Sequence, residues 1–137
     1  MKIPRMGELM TSFPRTIGED IPIATAKEHM RQDNIRHLPV LSAGHLVGII
    51  SDRDIKAVET FQNANDLTVG EVMTQDPFIV GENEFLDQVL LTMAEKKYGS
   101  VLIHREGSEV VIGIFTDTDA LRFCGQLLRD QALASAA

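Results

Sequence analysis

Cysteine is almost absent: Cys124 is the only one among 137 residues. The chain therefore has no internal disulfide and no thiolate pair for a zinc motif, and a reducing compartment is expected. No stretch approaches the roughly 18 consecutive apolar residues of a membrane-spanning helix. Lys2 and Arg5 near the N-terminus are not followed by the apolar core of a signal peptide. Basic residues are outnumbered, 13 against 20 acidic, for a net charge of −7. A nucleic-acid backbone is held by clustered Lys and Arg, so this deficit argues against DNA or RNA as a partner. A small anion is still admissible, because a pocket need not share the global charge. Catalytic signatures are also missing: no Gly-x-Ser-x-Gly elbow, no Gly-x-x-x-x-Gly-Lys phosphate loop and no His-Glu-x-x-His helix. His29, His37, His45 and His104 fall at no metal-ligand spacing. The expectation is a soluble cytoplasmic protein that is not an enzyme, has no metal site and does not meet a membrane.

What the chain does have is a duplication. Gly7-Glu8-Leu9-Met10-Thr11 returns as Gly70-Glu71-Val72-Met73-Thr74, and the same register pairs Pro14 with Pro77, Gly18 with Gly81, Glu19 with Glu82 and Met30 with Met93. After a short insertion, Gly48-Ile49-Ile50-Ser51-Asp52-Arg53-Asp54 matches Gly113-Ile114-Phe115-Thr116-Asp117-Thr118-Asp119. Repeat 1 is read as residues 1–62, a linker as 63–66, repeat 2 as 67–130 and a fraying tail as 131–137. At this length about 70% of the unfolded surface can be buried, whereas each half alone is marginal. The repeats are therefore expected to share a core or to pack face to face.

Each repeat reads as β-α-β-β-α. In the first, Arg15-Thr16-Ile17 predicts a short strand. A helix follows with Pro22 in its first turn and Ile23, Ala26 and Met30 on one face. A hairpin is predicted around Ser42-Ala43-Gly44, then a helix after Ser51 with Ile55 and Val58 inward. In the second, Phe78-Ile79-Val80 is a strand and Asn83 a helix cap. Leu86, Val89, Leu90 and Met93 form an apolar helical face. Ser100 to His104 and Val110 to Phe115 are strands, and a last helix begins near Asp117 with a stripe of Leu121, Cys124 and Leu128.

The Gly-apolar-apolar-Ser/Thr-x-x-Asp motif at each strand-to-helix junction has two readings. As a capping box, Ser51 or Thr116 satisfies free helix amides while Asp54 or Asp119 interacts with the cap and dipole. As a ligand site, the same amides and hydroxyl meet phosphate and the carboxylate accepts the two hydroxyls of a ribose.

With both motifs, the duplicated pentapeptide, and Ile35-Arg36-His37-Leu38-Pro39-Val40 with its counterpart Tyr98-Gly99-Ser100-Val101-Leu102-Ile103, the chain resembles a tandem pair of CBS (cystathionine β-synthase) domains from Met6 to about Leu128. The resemblance implies a mixed α/β (α+β) fold of two pseudo-symmetric repeats packed through their sheets. It also implies clefts that bind adenine nucleotides or related adenosyl ligands, a regulatory role, and dimerisation. By this resemblance each cleft joins the early strand and central segment of one repeat to the Asp-bearing helix start of the other. One cleft would combine Thr16, Ile35, Arg36 and His37 with Thr116 and Asp119, holding AMP, ADP or ATP, or S-adenosylmethionine, and no cofactor is required. The weaker one would combine Ile79, Tyr98, Gly99 and Ser100 with Ser51 and Asp54, lacking the hydroxyl at Ile79 and the Arg-His pair. Tyr98 either covers a base or fills the core. The stripe on the last helix either forms a homodimer contact or closes the monomer core. The expected function is an adenine-nucleotide sensor acting on an unknown protein target in trans, or else a constitutive dimer or adaptor without nucleotide.

Overall fold

Residues 1–136 are described by the computed structural model. They form two units, one continuous in sequence, Phe13–Pro77, and one split, Met1–Ser12 together with the chain from Phe78 onward. The apolar interior is likewise divided into two clusters, one per unit.

In the continuous unit, β2 (Ile17–Gly18), β3 (His37–Ser42), β4 (His45–Ser51) and β5 (Thr74–Gln75) form one sheet in that order. β2 runs parallel to β3, and the remaining pairs are antiparallel. The hairpin turns through Ala43 and Gly44, with φ of 49° and 80°. This is the doubly positive geometry that suits the twist of the flanking strands. α2 (Ile23–Asp33) buries Ile23, Ala26 and Met30, and α3 (Asp52–Val58) buries Ile55, against Leu38, Val40 and Ile50. A 3₁₀ turn (Ala64–Asp66) and α4 (Val69–Val72) lead to β5.

The split unit repeats this plan. Its sheet runs β1 (Thr11–Ser12), β8 (Val111–Thr116), β7 (Ser100–His104), β6 (Ile79–Gly81). α1 (Met6–Leu9), α5 (Leu86–Lys96) and α6 (Asp117–Ala136) complete it. Met6, Leu86, Val89, Met93, Val101, Ile103 and Phe115 form its core.

The packed units are not the two sequence repeats, because each opening pentapeptide packs on residues of the other repeat. The Gly7 amide donates to the Glu82 carbonyl at 2.8 Å, and the Gly70 amide donates to that of Glu19 at 2.8 Å. A side chain at either glycine would stand 3.2 Å from the glutamate Cβ and carbonyl, so glycine permits the approach. Met10 lies over Gly113 and Met73 over Gly48. The chain passes between units at Phe13 and Asp76, which precede Pro14 and Pro77 and have φ of 50° and 52°.

Several local expectations meet a different outcome. Asn83 does not cap α5: Phe85 holds the N-cap position, the Leu86 amide donates to the Pro4 carbonyl at 2.9 Å, and the Asn83 carbonyl accepts from Arg5. Pro22 stands at the N-cap of α2, one place before the first turn, and the Ile23 amide donates to the Leu67 carbonyl at 2.9 Å. Backbone carbonyls thus satisfy helix amides that side chains otherwise cap. On α6, Ala120 and Phe123 pack against the core, whereas Leu121, Cys124 and Leu128 are exposed, so that stripe does not close the monomer core. Residues 131–136, expected to fray, are helical, and Ala137 lies outside the described residues.

Candidate functional site

Hairpin register determines which motif residues meet within a unit. In the continuous unit His37 lies opposite Ser51, and the Asp52 amide donates to the Arg36 carbonyl at 2.9 Å. In the split unit Ser100 lies opposite Thr116, and the Asp117 amide donates to the Gly99 carbonyl at 3.0 Å. Each unit thus places its own central segment beside its own Ser/Thr-x-x-Asp motif. Thr16 and Ile79 neighbour these strands differently: Thr16 lies exposed just before β2, outside the strand expected for it, whereas Ile79 opens β6. Thr16, Ile35, Arg36, His37, Ser51 and Asp54 belong to the continuous unit; Ile79, Tyr98, Gly99, Ser100, Thr116 and Asp119 belong to the split one.

Both capping boxes form. The Asp54 amide donates to Ser51 Oγ at 3.0 Å, and the Ser51 amide donates to Asp54 Oδ2 at 2.9 Å. The Asp119 amide donates to Thr116 Oγ1 at 3.3 Å, while the Thr116 amide and hydroxyl donate to Asp119 Oδ2 at 2.9 and 3.0 Å. Capping and ligand binding are compatible, because a carboxylate has more acceptor sites than the box uses.

The two carboxylates differ in their further partner. The Thr74 hydroxyl approaches both oxygens of Asp54, at 3.3 and 3.4 Å. Asp119 has its Oδ1 bonded by Arg122 at 3.3 Å, a guanidinium that is 73% exposed. Such a surface pair contributes little and exchanges readily with a ligand. Sequence reasoning missed Thr74 and Arg122. Arg122 was available as the i+3 neighbour of Asp119, but Thr74 reaches Asp54 only because β5 pairs with β4.

The central segments are framed alike and furnished differently. α2 ends at Asn34 and α5 at Lys97, both left-handed, and the next amides, Ile35 and Tyr98, donate to Met30 and Met93 carbonyls at 3.0 Å. From this frame one unit presents Ile35, Arg36 and His37, and the other Tyr98, Gly99 and Ser100. Tyr98 is 42% exposed and Ile79 is 40% exposed. The Tyr98 ring lies 5.1 Å from that of Phe78, tilted by 32°, a favourable aromatic arrangement. At the position matching Phe78, Arg15 instead pairs with Asp33 at 3.0 Å.

Among the described residues no group of three or more His, Cys, Asp or Glu side chains is placed to hold a metal ion. No described helix is long and apolar enough to cross a membrane.

The family model described as CBS domain matches residues 6–59 and again residues 69–125. Hypoxic response protein 1 of Mycobacterium tuberculosis is 27% identical over 118 residues, covering 84% of this chain and 81% of that protein. An inosine-5′-monophosphate dehydrogenase of Korarchaeum cryptofilum is 31% identical over 104 residues, but the match covers only 21% of its length. Among solved structures, a putative acetoin utilization protein (AcuB) from Vibrio cholerae has a TM-score of 0.81 at 28% identity, over 96% of this chain and 97% of that one. The CBS domain pair of protein MJ0100, solved with 5′-methylthioadenosine and S-adenosyl-L-methionine, has a TM-score of 0.82 at 29% identity, over 91% and 98%. CBSX2, solved with AMP, shares the fold with a TM-score of 0.76 at 22% identity, over 90% and 98%.

Proposed function

Because this chain belongs to the CBS domain family, with two copies of the domain, we propose that it is a regulatory module that binds an adenosine-containing ligand and modulates a protein target in trans, in the cytoplasm and without catalysis. AMP, ADP and ATP are the first ligands to test, followed by S-adenosylmethionine. The observation that carries the proposal is the Asp119 carboxylate, held by the Thr116 amide and hydroxyl on Oδ2 and bonded on Oδ1 by an exposed guanidinium. That carboxylate suits a ribose diol, which offers two hydroxyl donors. Thr116 and a cation such as Arg36 or His37 would meet phosphate, Thr16 the base edge and Ile35 the base face. Asp54, already engaged by Thr74, belongs with Ser51, Ile79, Tyr98, Gly99 and Ser100 to the weaker site. A ligand acts on the target only through a difference in its affinity for two arrangements of the protein.

Isothermal titration of nucleotide-free protein tests the reading. Asp119→Ala is expected to weaken AMP binding roughly ten- to hundredfold, the loss of charge-assisted hydrogen bonds. Asp54→Ala in parallel shows whether the ribose is held there instead. Unchanged affinity in Asp119→Ala rejects the assigned carboxylate, and no heat with any of the four ligands rejects the adenosyl reading.

One observation favours the adaptor reading in part: Leu121 and Leu128, on one side of α6, are 75% and 70% exposed. We assign this face to a homodimer contact, in which the same surface serves both copies. Light scattering at micromolar concentration is expected to give a dimer, with Leu128→Glu shifting it to monomer. A wild-type monomer would remove the contact, and target capture insensitive to nucleotide would favour adaptor over sensor.

A further inference from the structure

The split unit is completed by an arm from a distant part of the chain. Residues 1–12 belong to it in the fold, yet in sequence the whole continuous unit, Phe13–Pro77, stands between them and Phe78. The arm buries Met6 in that core, its Met6 and Gly7 amides donate to the Glu84 and Glu82 carbonyls at 2.9 and 2.8 Å, and Thr11 and Ser12 pair with Ile114 and Gly113 of β8. Arg5 adds a hydrogen bond to the Asn83 carbonyl and stands 4.8 Å over the Phe85 ring. A second copy of the chain offers the same partners.

The arm is tied to the rest of the chain through Phe13, which is 78% exposed and left-handed at φ 50°. That conformation is an outlier for a bulky residue, and Pro14 favours extended backbone at the residue before it. Asp76 has a similar φ of 52°, but aspartate tolerates it better. The arm is also weakly capped. Arg5, at the N-cap of α1, has no acceptor in its side chain, whereas Thr68 at the matching place in α4 accepts from the Glu71 amide at 3.3 Å.

We propose that residues 1–12 exchange between two copies of this chain, so that each split unit is closed by the other copy's arm and Phe13 relaxes to extended backbone as the hinge. Both copies keep the arm's contacts, so exchange is opposed by the entropy of association and favoured by relief at the hinge. High protein concentration therefore promotes it. Because an arm must be out of one core before it enters another, exchange takes place as the chain folds, and a folded sample keeps the form it reached. Exchange requires neither a nucleotide nor the α6 face.

Thr11→Cys with Ile114→Cys, in a Cys124→Ser background, reports where each arm sits. Opposed residues of antiparallel strands stand about 4.5–5.5 Å apart at Cα, a separation that a disulfide spans. An arm in its own core gives a disulfide within one chain, and an exchanged arm joins two chains. The chain is folded at low and at high protein concentration, then oxidised with glutathione disulfide and run on a denaturing gel without reductant. A covalent dimer is expected that grows with concentration and exceeds the chance cross-linking of Thr11→Cys alone. Phe13→Gly is expected to lower its yield about fivefold, because glycine accepts the left-handed hinge, while Asp76→Gly leaves it unchanged. Leu128→Glu, in the otherwise native chain, gives a second reading that needs no added cysteine. Folded at high concentration and then diluted, it is expected to retain a slowly dissociating dimer on size exclusion, and folded at low concentration it is a monomer. Exchange is overturned if the two-cysteine chain forms disulfides only within one chain at both concentrations, or if Leu128→Glu is monomeric after either treatment. Equal effects of Phe13→Gly and Asp76→Gly overturn the assignment of the hinge.

Discussion

Gly48→Ala is expected to lower the stability of the chain by about 3 kcal/mol, toward the upper end for an overpacked core, read as a fall in the urea midpoint with the slope unchanged. The added Cβ would stand 2.6 Å from Met73 Sδ and 2.7 Å from the Thr74 carbonyl oxygen. A thioether can swing away, but the carbonyl belongs to β5, whose register on β4 sets Ile49 opposite Thr74. Met73→Ala in the same chain is therefore expected to leave most of the loss in place. The counterpart behaves differently. A Cβ on Gly113 overlaps Met10 Sδ and lies 2.7 and 2.9 Å from Met10 Cγ and Cβ, all of them side-chain atoms. Met10→Ala is expected to recover at least half of what Gly113→Ala costs relative to the Met10→Ala background, a coupling that a double-mutant cycle isolates. Equal rescue at both sites would show that the β5 carbonyl is not the obstacle at Gly48.

Removal of residues 1–12 is expected to unfold the split unit while the continuous unit keeps its structure. Met6 is fully buried in the cluster with Phe115, Val101 and Ile103. The Met6 amide donates to the Glu84 carbonyl at 2.9 Å, and the Leu86 amide to that of Pro4 at 2.9 Å. β1 pairs with β8 through Thr11 and Ser12. Emptying a buried methionine site alone costs about 2–5 kcal/mol. With the strand pairing lost as well, the deletion consumes much of the roughly 5–15 kcal/mol that holds a typical domain folded. Amide exchange should then show β7 and β8 unprotected, with β3 and β4 still slow. Met6→Asp in the full chain should act in the same direction, since it buries a carboxylate among apolar side chains. Protection lost equally from both units would refute this division of the chain.

Sequence periodicity reached most of the elements. Leu86, Val89 and Met93 are buried as their spacing requires, and the hairpin at Ala43-Gly44 follows from its turn residues. The Ser51–Asp54 and Thr116–Asp119 boxes were legible because a capping box is a contact across three residues. What stayed hidden depends on residues distant in sequence. Asn83 looks like a cap, yet the α5 amide is met by Pro4, more than eighty positions away in the chain. α6 carries apolar side chains on two sides, each at a helical spacing, so periodicity cannot choose between Leu121 with Leu128 and Ala120 with Phe123; the position of the sheet chooses. Phe78 behind Tyr98 and Thr74 on Asp54 became visible only with the backbone in place.

By itself, then, the sequence determined the duplication, the β-α-β-β-α order, the two Ser/Thr-x-x-Asp capping boxes and the membership of the CBS family, because each depends on short-range spacing or on matches along the chain. Tertiary structure alone decided that each opening pentapeptide completes the unit built mainly from the other repeat, and that the further partner of Asp54 is the Thr74 hydroxyl. The physical reason is that hydrogen-bond partners and core volume are settled by whichever groups are brought together, and the glycines at positions 7 and 70 admit a backbone approach whose partner no local pattern names.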